Sequence, residues 1–226
     1  MTCITKIKTG QTNSYLVHTA NGYILVDTGT ANQTKKVERA LNNAGAGIKE
    51  IKLIIVTHAH YDHVGSLQEI KIKSGASVLV HEKEKRLLQA GKTDFPAGTF
   101  FMTKLLASAG NSFMQGKFNP VDADITITDK YSLQDFGIDG EVIHTPGHTE
   151  GSISVIIEGE HLICGDTFFN VLPNSVYPLF ANDQAQLLET WKKIEQLNCK
   201  TFYPGHGTIF NRQKFLKTLK RKKGKE

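Results

Sequence analysis

An α+β fold of two facing β-sheets with helices on their outer faces is what the sequence predicts, and three observations predict it. Short apolar runs of strand character alternate with amphipathic helical segments. The alternation occurs twice, in two halves that are each rich in strands and flanked by helices. No Pro/Ser/Gly-rich linker separates the halves, so residues 1–226 are expected to form one domain. Composition agrees: 39% hydrophobic and 22% charged residues describe an ordinary globular chain, not a disordered or collagen-like one.

In order, strands are expected at 4–8, 13–18 and 23–26, the last two joined across the turn signal Asn21-Gly22. Asp27-Thr28-Gly29 ends the third strand. A helix over 33–43 follows, with Val37, Ala40 and Leu41 on one face. The run 51–56, apolar except at Lys52, suits a strand buried on both faces, and it discharges into the polar loop 57–65. A helix near 67–73, a strand at 77–80 and a helix at 82–89 complete the first half. Residues 91–120 break the rhythm, holding five of the twelve Phe and two of the three Met; they read either as a helical insertion packed on the core or as a lid-like insertion over a site. Strands return at 125–128, 141–144, 152–157 and 161–164. A helix spans 184–197, with Asp183 and Gln186 at capping-box spacing. A strand at 201–203 feeds the loop Pro204-Gly205-His206-Gly207, and a basic helix begins at about 212.

The net charge of +5 is a property of the C-terminal end: residues 212–226 carry eight Lys/Arg and one Glu, leaving the rest slightly acidic. Such a run reads as a solvated helix end, so a nucleic-acid partner is not expected. Three cysteines, widely spaced and without a CxxC, exclude a disulfide framework and suit a reducing cytoplasm. No apolar run is long enough for a membrane span, and the first residues lack a signal-peptide core.

Thr57-His58-Ala59-His60-Tyr61-Asp62-His63 concentrates the chemistry, with four possible ligands in six residues behind a buried strand. In an extended or turning loop His58 and His60 point the same way, while Asp62 and His63 swing to an adjacent point. One segment can thus serve two metal positions. Imidazole and carboxylate suit zinc, iron or manganese, with zinc the commonest for His-rich sites. His148, Asp166 and His206 lie at expected strand ends beside glycine or proline, where the backbone turns to present one side chain. They supply the ligands two metals would still lack. His18, His81, His144 and His161 have no ligand neighbours and read as structural, and Cys164 as a buried apolar residue.

These motifs, from Asp27-Thr28-Gly29 through the HxHxDH loop to His148, Asp166 and His206, resemble the metallo-β-lactamase superfamily over residues 10–210. The resemblance implies a four-layer αββα sandwich with a dinuclear metal site at the sheet edges. It implies that His58, His60 and His148 hold one metal and that Asp62, His63 and His206 hold the other. Asp166 would bridge them, Asp62 would also serve in catalysis, and Asp27 would support the loop from beneath.

The activity implied is hydrolysis, in which a hydroxide shared by two divalent ions about 3.5 Å apart attacks an ester, thioester or lactone carbonyl. No Gly-x-Ser-x-Gly elbow offers a nucleophile instead. An aspartate bridge argues against a β-lactam specialist, and a histidine at position 60 against the flavo-diiron branch. Phe169 stands where acyl-homoserine lactonases tend to place a tyrosine. Gly165-Asp166-Thr167-Phe168-Phe169 looks like the equivalent stretch of hydroxyacylglutathione hydrolases, which cleave thioesters, although only about 20 residues follow His206. The substrate expected is a small molecule, with an apolar acyl group if the Phe/Met-rich segment, Phe168, Phe169 and Phe180 line the pocket. The alternatives are a mononuclear iron oxygenase like the persulfide dioxygenases, and a phosphodiesterase or nuclease.

Overall fold

The computed structural model describes residues 3–93, 96–100, 103 and 116–224. Strands β1 (Ile4–Thr9), β2 (Thr12–Thr19) and β3 (Gly22–Val26) form an antiparallel meander. Helix α1 (Thr34–Asn43) returns the chain to β4 (Ile51–Ile55), parallel to β3. Then come a helical turn α2 (Tyr61–Val64), α3 (Leu67–Ser74), β5 (Ser77–His81) and α4 (Glu82–Ala90). Short strands β6 (Lys92–Thr93) and β7 (Gly116–Lys117) pair with each other, and β8 (Ile125–Ile127) adds parallel to β5. The first sheet therefore runs β1-β2-β3-β4-β5-β8.

The second sheet takes β9 (Lys130–Ser132), β10 (Gly140–His144), β11 (Ile153–Ile157) and β12 (His161–Asn170) in antiparallel order. Helix α5 (Gln184–Glu195) crosses over to β13 (Thr201–Gly207), parallel to β12. The short β14 (Phe210–Asn211) and the helix α6 (Arg212–Lys223) follow. The order is β14-β13-β12-β11-β10-β9.

Period-two alternation along the strands sorts side chains into layers. Leu16, Leu25 and Ile54 face α1 and α3, whereas Tyr15, Val17, Ile24, Val26, Leu53 and Ile55 meet Val142, Val155 and Ile163 across the two sheets. Both faces of β4 are covered from Leu53 to Ile55, which accounts for the apolar run there, while Lys52 near the start of the strand is exposed. A third cluster of Phe168, Trp191, Phe202, Phe215 and Leu219 lies between the second sheet and α5 with α6. The result is the expected αββα sandwich. No described helix is long and apolar enough to cross a membrane.

Several expectations need correction. The loop 57–65 contains the helical turn α2, and β12 and β13 run on to Asn170 and Gly207 instead of stopping before Asp166 and His206. Gly165 and Pro204-Gly205 read as stop signals, but register shifts on either side of Gly165, whose φ is +46°, absorb them within the ladder. Phe168 faces away from the pocket, stacked on Trp191 at 4.7 Å between centroids, because it alternates with Phe169. Phe118 packs against the first helical layer, while Phe95, Phe101, Met102, Leu105, Leu106, Phe113 and Met114 lie outside the described residues. The basic end is the expected helix, with Lys217, Lys220, Arg221 and Lys223 exposed, but it is docked on the fold along one side. Phe215, Thr218 and Leu219 are buried, and the Arg212 guanidinium donates to the carbonyls of Glu195, Leu197 and Cys199 at 2.6–3.2 Å, closing the end of α5.

Candidate metal centre

All seven predicted residues converge at one end of the sandwich. His58 and His60 leave the end of β4, Asp62 and His63 sit on α2, His148 lies between β10 and β11, and Asp166 and His206 lie on β12 and β13. Ligand-type atoms of three groups fall within 4.8 Å of one another: His58 with His60 and His148, His58 with His63 and Asp166, and Asp62 with His63 and His206. Asp166 lies between these groups. Its Oδ2 is 3.9 Å from His58 Nε2, 3.5 Å from His148 Nε2 and 3.3 Å from His206 Nε2, and its Oδ1 is 3.3 Å from His63 Nε2.

For His58, His63 and His148, hydrogen bonds on the far side of the ring decide which nitrogen faces inward. His148 Nδ1 donates to the Phe180 carbonyl at 2.9 Å, leaving Nε2 inward, 3.1 Å from His60 Nδ1. His63 Nδ1 donates to Asp27 Oδ2 at 2.7 Å. The Thr57 hydroxyl donates to that same oxygen at 2.7 Å and meets His58 Nδ1 at 3.1 Å, while the Thr57 amide donates to Asp27 Oδ1 at 2.8 Å. Asp27 thus sits beneath the loop, with its backbone in the left-handed region at a φ of 59°. Gly205 permits the tight approach of β13: a Cβ there would lie 2.3 Å from Asp166 Oδ1 and 2.7 Å from His63 Cε1.

The electrostatics suit a cation. Burial, reinforced by neighbouring imidazoles, holds His58 well below the ordinary histidine range and brings His60 down to about 3; burial also lowers His148. Their ring lone pairs are therefore free of protons at neutral pH. Burial also opposes a proton on His63 and His206, but carboxylates outweigh it. Asp166 and Asp27 hold His63 well above its usual range, and Asp166 with Asp62 raises His206 to about 9. Burial works against the Asp166 charge too, yet His206 and His63 keep its pKa well below the carboxylate range. His58 Nε2, His63 Nε2 and Asp166 Oδ1 are buried with no hydrogen-bond partner. Buried imidazole nitrogens and a carboxylate oxygen left without partners fit the donor set of a divalent ion, which would compete with the protons on His63 and His206.

A cavity of about 210 Å³ opens onto His60, Asp62, His148, Asp166 and His206. Apolar residues Pro96, Phe169, Val171, Leu179 and Phe180 also line it, together with Gln11 and Tyr61. Phe169 lies against His206 at 4.5 Å between ring centroids. The histidines read as structural stay away from this cluster: His81 stacks on His144 at 4.1 Å, His18 packs on Tyr23, and Tyr203 contacts His161. Sequence reasoning missed Thr57, Glu84, Thr149 and the Phe180 carbonyl, which hold the loops. Glu84 alone carried a signal, an acidic residue one helical turn from the buried Leu88.

A profile of the metallo-beta-lactamase superfamily matches residues 7–206. A probable metallo-hydrolase of Methanocaldococcus jannaschii is 33% identical over 208 residues, covering 90% of this chain and 91% of that protein. A hydroxyacylglutathione hydrolase of Pelagibacter ubique is 27% identical over 167 residues, 73% of this chain but only 55% of that enzyme's length. A metallo-beta-lactamase family protein of Thermus thermophilus superposes with a TM-score of 0.73 at 22% identity, covering 99% of this chain and 79% of that one. A beta-lactamase from Chitinophaga pinensis gives a TM-score of 0.72 at 24% identity, with coverage of 98% and 88%. Fold, profile and His/Asp groups together define a metal-dependent hydrolase. The chain belongs to the metallo-beta-lactamase superfamily.

Proposed function

We propose that this chain is a dinuclear hydrolase of small esters, thioesters or lactones carrying an apolar acyl group. In this reading His58, His60 and His148 hold one divalent ion, and Asp62, His63 and His206 hold the second. Asp166 reaches both. The observation that carries it is the position of Asp166, within 3.9 Å of inward nitrogens from both groups. When bound, the ions supply Lewis-acid polarisation of the scissile carbonyl and acidify the attacking water. Zinc is preferred because five of the seven donors are imidazoles.

The chain's own residues bind and orient the substrate. Phe169, Leu179, Phe180 and Val171 give the cavity an apolar wall beside its carboxylate and imidazole floor. An acyl chain laid on that wall sheds water while its carbonyl meets the floor. Each buried methylene contributes about 0.8 kcal/mol. Asp62 lines the same cavity, with its Oδ2 3.3 Å from His206 Nε2, so a carboxylate assigned as a ligand also borders the space the substrate would occupy. The relatives named hydroxyacylglutathione hydrolases favour the thioester within the substrate class.

The test is metal analysis of the purified protein together with kcat/KM over ester, thioester and lactone series of rising acyl length. Two zinc ions per chain, turnover lost on chelation and a rise with acyl length are expected. One ion per chain, as iron, would move the reading to an oxygenase. Cleavage of RNA in place of these substrates, with a steep salt dependence, would move it to a nuclease.

A further inference from the structure

The carboxylate of Glu84 has no place in the metal groups above, yet it is buried, 2% exposed, in the first turn of α4. Three donors converge on it. Its Oε2 accepts from the Ala59 amide at 2.9 Å. Its Oε1 accepts from the Thr149 hydroxyl at 2.7 Å and from the Gly151 amide at 3.2 Å. Ala59 sits between His58 and His60, and Thr149 directly follows His148. One side chain on a third element therefore ties together the two loops whose histidines make up the first group.

We propose that Glu84 is a positioning residue that sets the separation of His60 and His148, and with it the affinity of the His58/His60/His148 group for its ion. The inference rests on the metal reading above. The two histidines belong to different sheets, and their inward nitrogens stand 3.1 Å apart. The Ile153 amide, donating to the Thr57 carbonyl at 2.9 Å, joins the loops at their base. Nearer the ligands the connection runs through Glu84. The loop after His148 is shaped to receive it: a Cβ at Gly151 would lie 2.6 Å from Glu84 Cγ and 2.8 Å from Oε1. The helix bearing it is anchored in turn, because His81 Nδ1 accepts from the Lys83 amide at 3.2 Å and His81 Nε2 meets the Thr128 carbonyl at 3.0 Å. A buried carboxylate with three donors is a stiff spacer. Replacing it leaves donors unpaired on both loops, and each loop is then free to turn toward other acceptors.

The variants Glu84→Gln and Glu84→Ala test this, with Thr34→Val as a stability control that loses the Thr34–Glu69 hydrogen bond at 2.6 Å. Each metal-free protein is melted and then titrated with cobalt(II), whose visible spectrum follows the two binding steps separately. The step belonging to the three-histidine group is identified by its loss in His148→Ala. In Glu84→Ala that step should weaken by about 10- to 100-fold while the other holds its affinity. Glu84→Gln should recover part of the loss, since its remaining oxygen still accepts from one loop. In the unsubstituted protein the Ala59 and Gly151 amide protons should resonate downfield and exchange slowly, a readout that needs no variant to fold. Equal weakening of both steps, weakening that merely tracks the melting temperature as in Thr34→Val, unchanged titrations, or unprotected amides would each overturn the proposal. An unsubstituted protein that takes up no metal would sink the metal reading as well; normal uptake with an unaltered Glu84→Gln titration would sink only this inference.

Discussion

Asp27→Asn is expected to lower the melting temperature of the metal-free protein by about 6–20 °C. The exchange keeps shape, and asparagine, like aspartate, tolerates the left-handed backbone found here, with a φ of 59°. What changes is hydrogen bonding. Asp27 accepts from the Thr57 amide, the Thr57 hydroxyl and His63 Nδ1 at 2.7–2.8 Å, so either orientation of an amide turns an NH2 toward a donor. The less costly orientation faces Thr57 N–H and orphans one buried backbone donor, costing about 1–3 kcal/mol. The other two bonds then lose their ionic acceptor, about 1 kcal/mol each by the difference between charged and neutral hydrogen bonds. The sum is about 3–5 kcal/mol, and a chain of this size loses about 2–4 °C per kcal/mol. Thermal unfolding followed by circular dichroism reads the shift directly. Asp27→Gly supplies the complementary case: it relieves the backbone, removes all three acceptor contacts and should melt lower still. A melting temperature for Asp27→Asn within about 1 °C of the unsubstituted protein would refute the claim that this carboxylate supports the loop.

Asp166→Ala should reduce the metal content from two ions to one; retention of both ions with full turnover would remove Asp166 from its assigned position. Ending the chain after Phe210 should abolish the cooperative melt, because Phe215 and Leu219 alone bury about 3–6 kcal/mol and their loss also bares Trp191 and Phe202. A truncated chain that melts cooperatively near the full-length value would show α6 to be dispensable. Phe169→Ala should flatten the dependence of kcat/KM on acyl length, which is expected to rise by about four-fold per methylene on the intact wall. An unchanged slope would mean that acyl groups bind elsewhere.

The layers were legible because periodicity reports burial. The apolar run Leu53-Ile54-Ile55 of β4 and the helical face Val37, Ala40, Leu41 announce which sides are covered, and the structure buries Val37 and Leu41 fully. The His/Asp cluster was legible because ligand chemistry restricts residue types: four such residues fall within six positions after a buried strand, and three more sit beside glycine or proline. What stayed hidden were partnerships made through backbone atoms. Phe180 matters to His148 through its carbonyl, which any residue possesses, and Thr57 through a hydroxyl common in every loop. The long reaches of β12 and β13 stayed hidden for a related reason. Gly165 and Pro204-Gly205 look like ends of strands, and only the neighbouring strand shows that the ladder continues past them. At the basic end the exposed charges were legible, but its docking was not, because its charges are frequent and its buried residues few. Phe215 and Leu219 lie one turn apart, and a single apolar stripe that narrow is enough to dock a helix.

One strand explains how candidate ligands from the two halves keep their spacing. At the start of β2 the Thr12 hydroxyl donates to the Asp62 carbonyl at 2.6 Å, and the Asn13 side chain donates to the carbonyls of Pro204 and Gly207 at 2.9 and 3.0 Å. Two residues later Tyr15 donates to the same Pro204 carbonyl at 2.8 Å. Neighbouring residues of one strand therefore hold Asp62 from the first half and the His206 segment from the second. The 3.3 Å separation of Asp62 Oδ2 from His206 Nε2 is then fixed by strand geometry, not by loop packing. Since the acceptors are backbone carbonyls, the device constrains Thr12, Asn13 and Tyr15 while leaving the composition of the His206 segment open, except at Gly205. There Asp166 and His63 occupy the space a side chain would need. The apolar layer between the sheets sets their distance, and these few polar contacts convert that distance into a site of defined width.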